Sequence, residues 1–165
     1  MDATRESELA PMTNRTTVER RSDRELVVTR MFDGPARIVF EAWTKPELFS
    51  RWWVPKSMGM SLRSCEMDAR VGGKYRLEFE PDAVAFFGTY HEVTSHSRLV
   101  WTNEEIDEGS VTTVTFEESG GKTLLVMREL YPSKEALDAA GTGAADALVE
   151  TFAQLDELLV TVGAS

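Results

Sequence analysis

Glu66, Asp68 and Arg70 fall two residues apart in the segment EMDAR. On a β-strand that spacing gathers three ionisable side chains on one face and leaves Cys65 and Met67 on the other. If the charged face turned into an apolar interior, burial would raise the carboxyl pKa values and make Glu66 or Asp68 a proton donor. The competing role for Asp68 is structural, as polar anchor of the turn made by Arg70 to Gly73, and the residues favour it.

Other reactive types are sparse. His91 and His96 are the two histidines of the chain, five positions apart on a strand and its exit, and so on opposite faces if the strand continues. With Cys65 the single cysteine, no metal-ligand set converges, and neither metal nor another cofactor is expected. Cys65 has no sequence neighbour that would lower its pKa, so it reads as an inert strand residue. Gly72-Gly73 and Gly120-Gly121 each lie between strands rather than before a helix, which excludes a phosphate-cradling loop, and no nucleophile elbow occurs.

Aromatic residues form the stronger pattern. Phe49, Trp52 and Trp53 crowd the segment FSRWWVP, where adjacent indoles cannot easily share one core face. Tyr75, Leu77 and Phe79 share a strand face. Phe86, Gly88 and Tyr90 share a face of the next strand, with Phe87 opposite. Trp101 and Phe152 come from two further elements. Plain core packing would use the same residues, but should a sheet bearing them curve and leave its concavity unfilled, the mostly apolar hollow would hold a small molecule. The expected ligand contacts are therefore Trp52, Trp53, Phe49, Tyr75 and Leu77, together with Phe79, Phe87, Tyr90, Trp101 and Phe152. Gly88, in mid-strand, marks a bend or a close approach.

The elements that must position these residues can be read from the periodicities. Residues 1–23 are polar and charge-balanced and predict a disordered tail; a single domain then runs over 24–165. RELVVTRMFD predicts a strand ending at Asp33-Gly34-Pro35. Ile38, Val39, Ala42 and Trp43 follow at helical spacing, Lys45-Pro46 interrupts that helix, and Pro46 opens a second short one that Pro55 closes. From Met60 the period is two, with two strands around a tight Gly72-Gly73 hairpin and four more strand candidates after them, turn chemistry between Asn103 and Gly109 included. No space remains for crossover helices, so the sheet is antiparallel. Leu148, Phe152, Leu155, Leu159 and Val162 then repeat at steps of three and four, which predicts a long amphipathic helix over Ala144–Val162. The class is α+β.

Charge narrows the partners. The net charge is −10, and its excess lies late: through Asn103 there are 15 acids and 15 bases, whereas beyond it 13 acids face Lys122, Arg128 and Lys134. Such a chain has no basic surface for nucleic acid or for an anionic membrane. With one cysteine, no long apolar run and no secretory h-region, the expected location is the cytoplasm.

RMFDGPARIVFEAWTKPELFSRWWVP, EMDARVGG, GTYHEV, GGKT and FAQLDELL, in that order, resemble the SRPBCC (START/birch-allergen-like) superfamily. Within it they are most similar to the branch of activators of heat-shock-protein-90 ATPase, homologue type. The resemblance implies a helix-grip fold, a curved antiparallel sheet wrapped around the C-terminal helix with two short helices after the first strand. It also implies a cavity between sheet and helix for a small apolar or aromatic ligand. The short helix at the closed end would then turn Trp52 into the cavity and pack Trp53 on neighbouring structure. Val54 stands where the family often has glycine before the proline. Gly143 is followed by Ala144, Ala145, Asp146 and Ala147 where the family often reads Gly-Met-x-x-Gly, so that extra methyl groups on this helix would narrow the cavity near its N-terminal end. Relatives that are cyclases or dehydratases make an enzyme using Glu66, Asp68 or His91 the alternative to a binding protein. The branch name implies a chaperone-interacting module, but no distinctive surface motif supports a chaperone partner. A homodimer stays open.

Overall fold

The computed structural model describes residues 16–59, 61–80, 85–104 and 109–163, with backbone alone at 58, 140–146 and 163. The β-branched, apolar run ELVVTRMFD forms strand β2 (Glu25–Asp33), with Leu26, Val27, Val28, Met31 and Phe32 buried. Thr17–Arg20 pair with it as β1, Val18 opposite Val28. This corrects the expectation of an unstructured segment through residue 23. TVER carries too little apolar pattern to announce a strand; its partner is the free edge that β2 offers. Arg20 also reaches Asp138 at 2.7 Å. Residues 1–15, the rest of the expected tail, lie outside the described residues.

After β2 come α1 (Ala36–Thr44), α2 (Pro46–Phe49) and a 3-10 turn (Lys56–Met58). Pro46 cannot donate a backbone hydrogen bond, so α1 stops at Lys45, whose N–H still bonds Glu41 O, and α2 starts afresh. Six strands follow: β3 (Ser61–Met67), β4 (Lys74–Glu80), β5 (Ala85–Thr94), β6 (Arg98–Asn103), β7 (Val111–Ser119) and β8 (Lys122–Leu130). The chain ends in α3 (Lys134–Gly163). It begins ten residues before the expected Ala144, because polar residues such as Lys134, Glu135 and Asp138 form its early turns and hide the apolar stripe. The side chains of Ala144 and Ala145 lie outside the description, and Ala147 is half-buried.

Among the described residues, eight strands form one antiparallel sheet in the order β1-β2-β8-β7-β6-β5-β4-β3. The chain crosses from β2 to the far edge at β3, and α1 and α2 make that crossing. Register shifts between Leu62 and Ser64 and between Tyr90 and Glu92 add local bends to the curved sheet. The β3–β4 connection is a six-residue turn, Asp68 to Gly73, rather than a tight Gly-Gly hairpin. Its two glycines are stitched to the neighbouring strand, Gly72 N–H to Tyr90 O and Tyr90 N–H to Gly73 O, both 2.8 Å.

Strand alternation sorts the faces as the period predicts. Tyr75, Leu77 and Phe79 of β4 are buried, while Lys74, Arg76 and Glu80 point outward. Helix α3 packs on the concave face against β2 and α1. There Phe152 meets Phe32 edge-on at 5.6 Å, and Phe152 and Leu155 are fully buried. Arg30, 6% exposed, joins this contact through Asp156 of α3 at 3.3 Å and lies over the Phe32 ring at 4.9 Å.

Candidate ligand-binding site

The Trp-Trp segment sits where α2 ends after a single turn. Trp52 and Trp53 both direct their N–H to Phe49 O, at 3.3 and 3.2 Å, so they belong to a turn and not to a continuing helix. Trp52 is completely buried, its Nε1–H donates to Ala42 O at 2.9 Å, and its ring lies 4.9 Å from that of Trp43. Trp53 is half-buried and stacks on Phe49 with ring centroids 4.8 Å apart. The structure thus reverses the expected orientation of the pair: Trp53 lines the cavity and Trp52 packs into the core. Extending the α2 helical spacing beyond Phe49 is what misassigned them.

Side chains of α3 hold this segment by its backbone. Gln154 donates to the carbonyls of Trp52 and Val54, each at 2.9 Å, and accepts from Lys56 N–H at 2.9 Å. Thr151 Oγ1–H donates to Trp53 O at 3.2 Å. Glu150 accepts from the backbone N–H of Ser57 at 3.0 Å and from its hydroxyl at 2.5 Å, and these bonds hold its carboxyl below the usual carboxylate range. Thr151 and Gln154 are buried polar residues on a helix that reads as amphipathic, so their inward direction was not visible in the spacing.

The cavity lies between α1–α2 and the β3–β6 half of the sheet. Its described lining comprises Trp43 and Phe49 from the helices, Trp53, Met67 of β3, Tyr75 and Leu77 of β4, Phe86 and Tyr90 of β5, and Trp101 and Asn103 of β6. The unfilled space is about 420 Å³, part of it open to solvent. The enclosed part of it is about 40 Å³, room for about three waters. Phe86, 42% exposed, forms part of the rim.

Several expected contacts stand elsewhere. Phe152 is taken up by Phe32, Trp43 and Trp52, and no described side chain of α3 lines the cavity. Among the described residues this hollow is bounded by the short helices, while Phe32, Phe152 and Leu155 pack between the sheet and α3. Phe87 faces away from the cavity, under the Arg76 guanidinium at 5.6 Å, because strand alternation gives the inward place to Phe86. Phe79 is buried behind Phe86, 5.2 Å between ring centroids. Tyr75, Leu77, Tyr90, Trp101, Phe49 and Trp53 do come together on the wall.

Trp43 and Asn103 are wall residues the spacing did not single out as contacts. Trp43 was visible only as a helix core position, Asn103 only as a turn former. Asn103 is the polar centre of the site. Its Oδ1 accepts from Tyr75 Oη–H at 2.6 Å and from Trp101 Nε1–H at 3.2 Å. Its Nδ2 donates to Ser110 Oγ at 2.9 Å and Thr112 Oγ1 at 3.0 Å, and Thr112 donates to the Glu129 carboxylate. The direction of every bond in this chain fixes the amide orientation. Gly88 permits the arrangement, since a Cβ there would stand 1.7 Å from Thr102 O and 2.7 Å from the Tyr75 ring.

Electrostatically the wall is plain. None of its described residues carries a charge at neutral pH. Burial, with smaller contributions from Cys65 and Asp68, pushes the Tyr90 phenol well above its ordinary pKa. Cys65, behind Met67, is raised to about 11 by burial and stays a thiol, its S–H directed to Met67 Sδ at 3.6 Å. The candidate acids stand outside: Glu66 and Asp68 are exposed, and Asp68 pairs with Arg70 at 2.9 Å beside its own turn. His91 is exposed against Thr102 Oγ1.

A curved antiparallel sheet gripping a long terminal helix, with short helices over one end, is the SRPBCC helix-grip class. A family model, Activator of Hsp90 ATPase homolog 1-like protein, matches residues 33–160, and the chain belongs to that family. Solved structures with the same fold include a Rhodobacter sphaeroides protein at 23% identity and TM-score 0.80, covering 88% of this chain and 98% of that one. A Nitrosomonas europaea protein gives 24% identity and TM-score 0.78 over 88% and 100% of the two chains. CalU16 from Micromonospora echinospora gives 21% and 0.64 over 87% and 84%. A comparison with curated protein sequences finds no match. Among the described residues, no helix is long and apolar enough to cross a membrane.

Proposed function

We propose that this protein binds a small, uncharged, largely apolar molecule in the cavity between the short helices and the β3–β6 half of the sheet. One observation carries the reading: seven of the ten described wall residues are aromatic, joined by Met67, Leu77 and one fully engaged Asn103. Apolar enclosure of this kind favours transfer of a ring from water at about 25 cal/mol per Å² buried. A charged ligand would lose its hydration with no opposite charge to replace it. The enzyme alternative loses support, because Glu66, Asp68 and His91 stand away from the wall. Chaperone activation, which the family name suggests, would be carried by an outer surface, whereas the feature assembled here from six elements and the Trp53 turn, and held by α3, is interior. Native mass spectrometry of the protein purified from its own host tests the reading. A co-purifying apolar molecule supports it. Bare protein that turns over a supplied polyketide would replace it with the enzyme.

A further inference from the structure

Most polar atoms of the cavity wall are spent on the fold. Tyr75 and Trp101 give their hydrogens to Asn103, and Asn103 passes its own to Ser110 and Thr112. Tyr90 differs. It is 3% exposed, it lines the cavity, and its ring stands edge-on to Tyr75 at 6.0 Å and to Trp101 at 6.3 Å. Its backbone is fixed by both glycines of the β3–β4 turn. Among the described residues its hydroxyl has no hydrogen-bond partner. The hydroxyl is not sealed from the cavity, so a ligand atom there can supply that partner. Because burial holds it neutral, it can both donate and accept. The indole Nε1–H of Trp43, on the same wall, also lacks an acceptor and can only donate. That indole N–H is sealed from the cavity, so the Tyr90 hydroxyl is the group a ligand oxygen can reach.

We infer that the cavity selects an uncharged ring compound bearing a hydroxyl group, its ring among the aromatic side chains of the wall and its hydroxyl hydrogen-bonded to Tyr90 Oη. This rests on the cavity being a ligand site. Tyr90 then sets specificity, while Trp53, Phe49 and Leu77 supply affinity for any small ring. Carboxylates are rejected for want of a cation on the wall, although they carry the same hydrogen-bonding oxygens.

The test is a titration of the full chain with phenol, toluene, benzoate and tetramethylammonium, followed by Trp fluorescence excited at the red edge of its absorption. The same titration is made on Tyr90→Phe, with its melting curve checked against the parent. Losing one neutral hydrogen bond should weaken phenol about three- to tenfold in the variant and change toluene less than about twofold. Benzoate should bind the parent more weakly than phenol. A phenol-to-toluene ratio unchanged by the substitution overturns the role of Tyr90 and leaves the cavity reading standing. Benzoate or tetramethylammonium binding more tightly than phenol overturns the uncharged class. No binding of any ring overturns the cavity reading itself. Should the variant unfold, tyrosine-labelled parent protein gives the same decision by NMR: Tyr90 ring signals must respond differently to phenol and toluene, and identical responses refute the assignment.

Discussion

One sheet, two halves, two outcomes. Where β2 and its neighbours face α3, the concave side is filled: Phe32, Leu125, Phe152 and Leu155 are fully buried, and the Arg30–Asp156 pair joins strand to helix. Where β3–β6 face α1 and α2, the same alternation of large apolar residues leaves a hollow. Residue type does not separate the halves, since both are rich in rings. What separates them is the covering element. A long helix presents a continuous stripe that interdigitates with a strand, whereas a nine-residue helix, a four-residue helix and a turn present isolated rings. Trp53 and Phe49 stack on each other rather than fill the sheet's concavity.

Substitutions can break that contrast. In the filled half, Phe152→Ala should cost about 3–5 kcal/mol and Leu155→Ala about 2–5 kcal/mol in denaturant unfolding, with affinity for a small ring in the surviving folded protein nearly unchanged. A loss below about 0.5 kcal/mol would show that this half is not close-packed. Trp52→Ala belongs with these despite its neighbour, at about 3–5 kcal/mol, since it is fully buried and its indole N–H is bonded. Trp53→Ala should do the opposite, altering ring affinity by about 1 kcal/mol or more with a smaller loss of stability. Equal effects of the two Trp substitutions on binding and on stability would erase the distinction.

Much of this was legible in the chain. The order of elements follows from Pro46, the change to period two after residue 60 and the stripe from Leu148 to Val162. β1 was not legible, because TVER becomes a strand only through the edge of β2. The inward-facing rings of β4 and β5 followed from alternation, and counting Phe87 among the contacts went against that same alternation. The Trp pair was misread because α2 lasts one turn. Asn103, Thr151 and Gln154 were hidden for a common reason: each is a polar residue whose partners only the fold brings within reach, Gln154 about a hundred positions from Trp52.

Gln154 links the two halves and sharpens the comparison. Gln154→Leu should leave the carbonyls of Trp52 and Val54 and the N–H of Lys56 without partners. The expected cost is about 1–3 kcal/mol, with weakened ring binding, because the α3 clamp sets the position of Trp53. Stability lost with binding intact would make the clamp a scaffold feature alone. The smallest effect concerns pH. The folded-state pKa of Glu150 lies below its unfolded value, so its contribution is present above the unfolded pKa and is lost as pH falls through the depressed folded one. Glu150→Gln should therefore flatten the acid limb of the stability profile and leave neutral pH almost untouched. An unaltered acid limb would remove Glu150 from the clamp.

A ligand is expected to enter the hollow half and not the space under α3. Methyl-labelled protein titrated with toluene and followed by carbon–proton NMR tests it directly. The methyl groups of Met67 and Leu77 should shift progressively and saturate, while those of Leu155 and Leu159 stay in place. Saturating shifts at Leu155 and Leu159 with Met67 and Leu77 unmoved would put the ligand between sheet and terminal helix and contradict the account.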